Sequence, residues 1–250
     1  MSILCTNDDG YLAEGLRVLA EAARSIGTVT VVAPDREQSA TSHSLTLHHP
    51  LRVRRAADGA HVVDGTPTDC VLLAVNELLL DTRPGLCLSG VNHGPNMGED
   101  VLYSGTVAAA MEATVLGIRS VAVSYTGEQY EEISAWTDRL AVLFRDLARN
   151  ARFPDHTLLN VNLPAIDPAD LQGVRITSLG RRRYQDAITR ANDPRGREYF
   201  WIGGGVASWQ GGEHSDFKAV SEGYISITPV YLDLTNYALM EELRTWEFSQ

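Results

Sequence analysis

Two adjacent carboxylates, Asp8 and Asp9, stand in the motif N-D-D-G directly after the first apolar run of the chain. Neighbouring carboxylates repel each other unless a proton or a cation compensates their charge, and a hard divalent cation does so through oxygen ligands. The same four residues also suit an Asx-type turn in which Gly10 takes a positive φ. Taken alone, N-D-D-G favours the turn somewhat over a metal site.

Two further polar segments follow later apolar runs. The segment A-P-D-R-E-Q-S at residues 33–39 has a composition typical of a solvated loop. The segment from Ser89 to Thr106 combines spaced glycines with two asparagines and ends in Ser104-Gly105-Thr106 at the start of a predicted helix. Free N–H groups, hydroxyls and the positive end of the helix dipole would meet there, which indicates a phosphate-binding loop in preference to simple capping by Ser104.

The rest of the N-terminal sequence alternates short apolar runs, which indicate strands, with stretches of helical periodicity, which indicate helices. These elements must position the three polar segments. This alternation predicts an α/β fold of the Rossmann-like kind, with a mainly parallel sheet and helices on both faces. Ligands of such sheets lie beyond the carboxyl ends of the strands, so the three polar segments are expected at one edge. The predicted strands are 3–5, 29–32, 86–88, 121–123 and 158–161, and the predicted helices are 14–26, 66–80, 105–116 and 133–148.

Helix ends carry their own signals. Thr66 is expected to cap a helix that begins at Pro67, with Asp69 at the reciprocal position of a capping box. Gly27 and Gly117 follow the last periodic residues of their helices, and both are expected to end them in the left-handed conformation.

The pattern loosens after about residue 165. Glycine and proline interrupt short aromatic stretches, for example at 193–196 and 203–205, which predicts antiparallel hairpins. A late strand is predicted at 224–230 and an amphipathic segment at 237–246. We therefore expect one domain over 1–250, with a βαβ core over about 1–165 and a C-terminal extension over about 166–250.

Composition narrows the function further. Lys and Arg number 21 against 32 Asp and Glu, a net charge of −11, which argues against a surface that tracks nucleic acid. Three widely spaced cysteines without a C-x-x-C motif indicate neither a disulfide framework nor a thiolate zinc site, and they fit a reducing cytoplasm. No signal peptide or membrane-spanning run is visible, and neither a dinucleotide-binding glycine motif nor a Walker loop follows the first strand.

Five ordered blocks of the sequence resemble the SurE-type survival proteins, a family of metal-dependent 5′/3′-nucleotidases. The blocks are I-L-C-T-N-D-D-G at 3–10, A-P-D-R-E-Q-S at 33–39, G-T-P-T-D-C-V at 65–71, S-G-V-N-H-G-P-N-M-G-E-D-V-L-Y-S-G-T-V at 89–107 and G-Y-I-S-I-T-P at 223–229. Departures from the family pattern are Ala40 and Ala108, where glycine is usual, and Ser215 in place of a frequent Thr. The added methyl groups are expected to affect substrate preference more than activity.

The resemblance implies a metal site formed by two Asp, a Ser and an Asn, which correspond here to Asp8, Asp9, Ser39 and Asn92. It also implies a phosphate pocket formed by Asn96, Ser104, Gly105 and Thr106. The third implication is a C-terminal extension that is exchanged between the subunits of a homodimer or homotetramer.

An all-oxygen ligand set of this kind selects one Mg²⁺ or Mn²⁺ per subunit over copper or structural zinc. The expected reaction is metal-assisted attack of water on the phosphate of a nucleoside monophosphate. Asp8 or Asp9 is the alternative nucleophile, although a carboxylate committed to a metal is a poorer one. Two other functions stay open: a non-catalytic sensor of a metal–nucleotide complex, and a phosphatase of the haloacid dehalogenase type, which expects D-x-D rather than adjacent aspartates.

Overall fold

A computed structural model describes residues 1–150, 153–184, 188–202 and 207–248 of the chain. Its strands are β1 (Ser2–Thr6), β2 (Thr28–Pro34), β3 (Val53–Arg55), β4 (His61–Val63), β5 (Leu86–His93), β6 (Arg119–Tyr125), β7 (Thr157–Leu163), β8 (Gly173–Ile176), β9 (Arg181–Tyr184), β10 (Ile188–Asn192), β11 (Glu198–Ile202), β12 (Ala207–Gln210) and β13 (Tyr224–Tyr231). Its helices are α1 (Glu14–Ala23), α2 (Pro67–Leu73), α3 (Gly105–Val115), α4 (Thr137–Asn150), α5 (Asp216–Ser221) and α6 (Tyr237–Leu243).

Nine strands form one sheet in the order β3-β4-β2-β1-β5-β6-β7-β13-β8. The five central strands from β2 to β7 pair in parallel, whereas β13 runs antiparallel to β7, and β3 runs antiparallel to β4. The predicted α/β fold with a mainly parallel sheet is therefore confirmed. The edge strands β3 and β8, and β4 beside β3, have only three or four residues each, and the sequence analysis did not predict them.

Strand β1 illustrates why the central strands appear in the sequence as continuous apolar runs. Ile3 and Cys5 belong to the core cluster that includes α1 and α4, whereas Leu4 belongs to the cluster that includes α2 and α3. Successive strand residues point to opposite faces, and helices cover both faces here, so the strand has no solvent-facing side. Truncating a side chain as buried as Leu4 to alanine typically costs about 2–5 kcal/mol of stability.

Two of the three helix ends predicted from capping residues and glycines have the predicted conformation. Both hydrogen bonds of the capping box between Thr66 and Asp69 are present, and Gly117 has a φ of 75° after α3. The left-handed conformation predicted for Gly27 is wrong, because α1 ends earlier, at Ala23, and Gly27 does not have a positive φ. A side chain at Gly27 is excluded for another reason, since an added Cβ would lie 2.1 Å from the backbone oxygen of Met1.

The C-terminal region divides between the main sheet and two small sheets. β8 and β13 extend the main sheet, whereas β10 pairs with β11 and β12 pairs with β9, both antiparallel. The turn predicted at 193–196 joins β10 to β11, and the break predicted at 203–205 lies outside the described residues. Within the described part of the chain, no helix has the length and hydropathy needed to cross a bilayer.

Candidate active site

Three loops meet at the carboxyl edge of the sheet, as the sequence predicts. They follow β1, β2 and β5, which are neighbours in the sheet order. The backbone N–H of Gln38, in the loop after β2, donates to the carbonyl oxygen of Asp8 at 2.7 Å. This hydrogen bond holds the loop that carries Ser39 beside the loop that carries the two aspartates.

The Asp8 carboxylate lies in a buried position at the start of α3. Only 4% of the residue is exposed, and its oxygen Oδ1 accepts a hydrogen bond from the hydroxyl of Thr106. Burial raises the pKa of Asp8 to about 6; hydrogen bonds from Thr106 lower it in part, and the charge of Asp9 raises it. No Lys or Arg side chain in the described residues forms an ion pair with either aspartate.

Asp9 is less buried than Asp8 and is held by a different partner. The backbone N–H of His93 donates to its Oδ2 at 3.2 Å. Burial raises the pKa of Asp9, and the hydrogen bond from His93 lowers it in part. The two carboxylates therefore lie in one polar cleft without a side-chain cation to compensate them.

A β-bulge orients Asn92 toward this cleft. The register between β5 and β6 shifts by one residue between Ser89 and Asn92, and Gly90, inside the bulge, has a φ of 131°. An added Cβ at Gly90 would lie 2.1 Å from the carbonyl oxygen of Val123, so only glycine fits there. The amide nitrogen of Asn92 donates to the Gly94 carbonyl at 2.8 Å, which leaves its Oδ1 facing the Thr106 hydroxyl at 3.3 Å.

Ser39 lies at the same edge but is more exposed than the other three residues. Its hydroxyl donates to Oε1 of Glu37 at 2.6 Å. The next residue, Ala40, has a φ of 56°, a left-handed conformation that glycine adopts at lower energy. Ala40 also lines the cavity described next, whereas Ala108 is buried inside α3.

A cavity of about 630 Å³ opens beside these loops. Its polar lining includes Asp8, Ser39, Asn92, Asn96 and Ser104. Its apolar lining comes from Pro95, Tyr103 and, from the C-terminal region, Ile202. The remaining lining residues are Ala40, His93 and Asp100. A carboxylate and a helix start thus lie at one cavity together with apolar surface.

The structure divides the four residues of the expected phosphate pocket into two pairs. Asn96 and Ser104 line the cavity, and Ser104 also accepts the capping bond from Val107 N–H at 3.0 Å. Thr106 is 0% exposed, and its hydroxyl is bound to Asp8. An added Cβ at Gly105 would lie 2.8 Å from the Cβ of Asp8. Gly105 and Thr106 therefore contact the carboxylate in this structure.

Asn96 is held by a buried network that the sequence analysis missed. Its backbone carbonyl accepts from the amides of Asn160 (2.8 Å) and Asn162 (3.0 Å), and its backbone N–H donates to Oδ1 of Asn162 at 2.9 Å. Its side-chain amide donates to the Ser124 hydroxyl at 2.8 Å. The available signal was two asparagines at alternate positions of the otherwise apolar strand β7, which places both on one face.

The side chains around the cleft fit a hard divalent cation. Asp8 and Asp9 supply charge, and Asn92 and Ser39 supply neutral oxygens, which is the ligand chemistry of Mg²⁺ or Mn²⁺. Within the described residues, no group of three or more His, Cys, Asp or Glu side chains is arranged to hold a metal. A cation at this site would therefore depend on the amide and hydroxyl oxygens as well as on the two carboxylates.

Comparison with known proteins relates this chain to one family over its whole length. The sequence model of the family described as survival protein SurE matches residues 3–186. A 5′-nucleotidase SurE from Gemmatimonas aurantiaca is 55% identical over 249 residues, 98% of each chain, and one from Geobacter metallireducens is 50% identical over 100% of this chain and 99% of its own. The crystal structure of a SurE protein from Aquifex aeolicus is 39% identical, with a TM-score of 0.85 and 98% of each chain covered. The residues matched by the family include all three loops of the candidate site.

Proposed function

Because this chain belongs to the survival protein SurE family, we propose that it is a nucleotidase, which hydrolyses nucleoside monophosphates to a nucleoside and inorganic phosphate. The observation that carries the proposal is the cavity in which Asp8 and the start of α3 lie beside apolar surface. The names of the full-length relatives support the same activity. Hydrolysis of both 5′- and 3′-monophosphates is part of the proposal.

The proposed cofactor is one Mg²⁺ or Mn²⁺ per subunit, held by Asp8, Asp9, Ser39 and Asn92. The absence of an ion pair between the two carboxylates and a described Lys or Arg supports this assignment, as does the Asn92 Oδ1, which lies beside the same Thr106 hydroxyl as Asp8. When bound, such a cation supplies Lewis-acid polarisation of a phosphoryl oxygen and lowers the pKa of a coordinated water. The two aspartates supply the negative charge that attracts the cation.

Different residues of the cavity are proposed to bind the phosphate and the nucleobase of the substrate. Ser104 and Asn96, which line the cavity, are proposed to bind the phosphate; Ser104 caps the start of α3, where the helix dipole favours an anion. Tyr103 and Pro95 offer the apolar surface on which a nucleobase packs. Gly105 and Thr106 are proposed to contribute to phosphate binding as well, and Thr106 in addition fixes the Asp8 carboxylate.

Water is the proposed nucleophile. The Asp8 carboxylate is occupied by the Thr106 hydroxyl and by the start of α3, and a carboxylate held in this way reacts poorly with phosphorus. Asp8 and Asp9 are therefore proposed to act as catalytic residues by holding the reacting groups in place rather than by forming a covalent intermediate.

Phosphate release from AMP and GMP tests the proposal. We expect turnover with Mn²⁺, loss of turnover with a chelator, and a loss of at least about 100-fold in both Asp8→Asn and Asp9→Asn. Asparagine fits both positions sterically, so circular dichroism should show an unchanged fold. A chain that binds AMP with Mn²⁺ but releases no phosphate would be a sensor instead. Near wild-type turnover in both variants would contradict the site assignment.

The C-terminal extension, over about 166–250, is proposed to be exchanged between the subunits of a homodimer or homotetramer. Large exposed apolar side chains on β10, on β11, on the last helix and in the segment after it support this proposal; they are Ile188, Tyr199, Phe200, Trp201, Ile202, Leu239, Trp246 and Phe248. Exposed apolar side chains that are grouped in this way normally pack against a partner. Trp209 is different, because it stacks on Phe217 within the chain at 5.7 Å.

The cytoplasm is the proposed location. Cys5, Cys70 and Cys87 are free thiols buried in the two main core clusters, which suits a reducing compartment.

A further inference from the structure

The hydroxyl of Tyr130 lies where three parts of the candidate site meet. It donates a hydrogen bond to the carbonyl oxygen of Val91, in the bulge of β5 and directly before the proposed ligand Asn92. Gly15, in the first turn of α1, packs against the same hydroxyl. Since a hydroxyl carries a single proton, removing it leaves the Val91 carbonyl without this donor.

The close packing around this hydroxyl leaves no room for displacement. A Cβ added at Gly15 would lie 1.9 Å from the Tyr130 oxygen and 2.1 Å from the Val91 oxygen. The start of α1, the bulge and the tyrosine therefore fit together only because residue 15 is glycine. The hydroxyl joins the helix after the aspartate loop to the strand that carries Asn92.

The aromatic ring of Tyr130 supports the donor to Asp9. It stacks on the ring of His93 with a centroid separation of 4.5 Å and an interplanar angle of 19°. The backbone N–H of His93 donates to Asp9 at 3.2 Å, and the His93 ring also lies 3.3 Å from the Glu128 carbonyl. The N–H that orients Asp9 and the proposed ligand Asn92 thus lie on one short segment that Tyr130 contacts at Val91 and at His93.

We propose that Tyr130 is a positioning residue that fixes residues 91–93 and, through the His93 N–H, the rotamer in which the Asp9 carboxylate binds the cation, an inference that rests on the metal site proposed above. Asp9 is only partly buried and forms no ion pair with a described Lys or Arg side chain, so without the His93 N–H it would be free to turn to solvent. Fixing one rotamer in advance spares the entropy of ordering it when the cation binds. Partners of metal ligands that act in this way commonly change metal affinity 10–100-fold.

The chain offers a matched control in Tyr125, on β6. This tyrosine is fully buried, and its hydroxyl donates to Oε2 of Glu132 at 3.1 Å, on the same short segment that carries Tyr130. Tyr125→Phe and Tyr130→Phe each remove one buried hydroxyl and keep the ring. Only the second hydroxyl is bonded to the segment that carries a proposed metal ligand, through the carbonyl oxygen of Val91 next to Asn92.

Calorimetric titration of the full chain with Mn²⁺ tests the inference. We expect the Kd of Tyr130→Phe to rise by about 10–100-fold and that of Tyr125→Phe to change less than about 2-fold. At saturating Mn²⁺, the kcat of Tyr130→Phe should return to near the wild-type value, because a positioning residue is not needed once the cation is bound. Thermal melts of both variants should be alike.

His93→Ala serves as the second variant should Tyr130→Phe fail to fold. It removes the stacked ring at an exposed position and keeps the hydroxyl, and we expect a smaller rise in Kd. Equal Mn²⁺ affinity in wild type, Tyr130→Phe and Tyr125→Phe would overturn the inference and leave the proposed metal site intact. A wild-type chain that does not bind Mn²⁺ would overturn both.

Discussion

Asp8 lies in an environment that opposes its ionised form. Burial raises its pKa to about 6, and the hydrogen bonds from Thr106 offset only part of this effect. A carboxylate in this condition attracts any cation that can reach it, which is the requirement for a metal ligand. The same condition destabilises the folded chain whenever the carboxylate is ionised and no cation is present.

This conflict predicts that Asp8→Asn raises the stability of the metal-free chain at pH 8. The pKa of Asp8 is higher in the folded chain than its ordinary value of 3.8, so protonation stabilises folding. That contribution is present below about pH 4 and is lost as the pH rises through about 6. Denaturant unfolding with a chelator should show a gain on the order of 2 kcal/mol at pH 8 and little difference at pH 4.

Asp64→Asn is the control, because the pKa of Asp64 is shifted in the opposite direction from that of Asp8. The pKa of Asp64 is lowered by a hydrogen bond from the backbone N–H of Arg52, so its charged form is favoured in the folded chain. Its substitution should not raise stability at pH 8. An Asp8→Asn chain that is less stable than wild type at pH 8 would contradict the buried, unpaired state of this carboxylate.

Gly105→Ala tests how closely α3 approaches Asp8. The added Cβ would lie 2.8 Å from the Asp8 Cβ and 2.9 Å from its Oδ2, so the carboxylate or the helix start must shift. A misplacement of about 1 Å at a reacting centre can lower activity by about 100-fold, and a smaller shift lowers it less. We expect a kcat/KM loss of about 10–100-fold, measured as phosphate release at saturating Mn²⁺.

Gly212→Ala is the matched control for that substitution. An added Cβ there meets nothing within 4 Å, and Gly212 does not have a positive φ. Its activity should stay within about 2-fold of wild type. Equal activity in both alanine variants would mean that α3 does not hold Asp8 in place.

At the level of elements, Asp216 connects the site loop to the C-terminal region. The residue is 0% exposed, and its carboxylate accepts from the backbone N–H groups of Gly98 (2.8 Å), Gly180 (2.9 Å) and Phe217 (2.8 Å). Gly98 begins the short helix that follows the Asn96 loop, and Gly180 precedes β9. One carboxylate thus ties three segments that are far apart in the sequence.

We expect Asp216→Ala to lower the free energy of unfolding by about 2–4 kcal/mol. The substitution leaves two buried N–H groups from distant segments without an acceptor, and each such group costs about 1–3 kcal/mol. Urea unfolding measures the loss. Asp193→Ala, which removes acceptors only within its own turn, should cost less than about 1 kcal/mol. Equal losses in the two variants would argue against a long-range role for Asp216.

At the level of the whole molecule, β10, β11 and the last helix expose more apolar surface than one chain covers. Trp201 is 66% exposed and Phe200 is 56% exposed on one hairpin. Two-stranded sheets are marginally stable in isolation, so a hairpin of this kind gains most of its stability from what it packs against. A second copy of the chain is the partner that the proposed exchange supplies.

Light scattering should therefore give a mass of at least twice the 27.3 kDa of one chain at micromolar concentration. Trp201→Asp should shift the protein toward smaller species, because it places a charge on the surface that a partner would cover. Leu80→Asp, at a position 65% exposed after α2, should leave the mass unchanged. A fully active wild-type monomer would contradict the proposed assembly.

The sequence by itself determined those features of the fold that depend on residues close together along the chain. The apolar run around Leu4 predicts a strand buried on both faces, and Thr66 with Asp69 predicts a helix start, because the relevant contacts span at most four residues. The alternation of such elements then favours a parallel sheet, since βαβ connections allow few other arrangements. The edge at which Asp8 and Asp9 lie follows from that topology.

Only the tertiary structure decided which groups face the two aspartates. Thr106 lies 98 positions from Asp8 and reaches it because β1 and β5 are adjacent in the sheet. Tyr130 and Asn162 contact their partners through β6 and β7 in the same way, and neither carries a local signal of that contact. Hydrophobic periodicity shows which face of a helix or strand is buried, but it does not show which other elements that face contacts. Those contacts are set by how all the elements pack together.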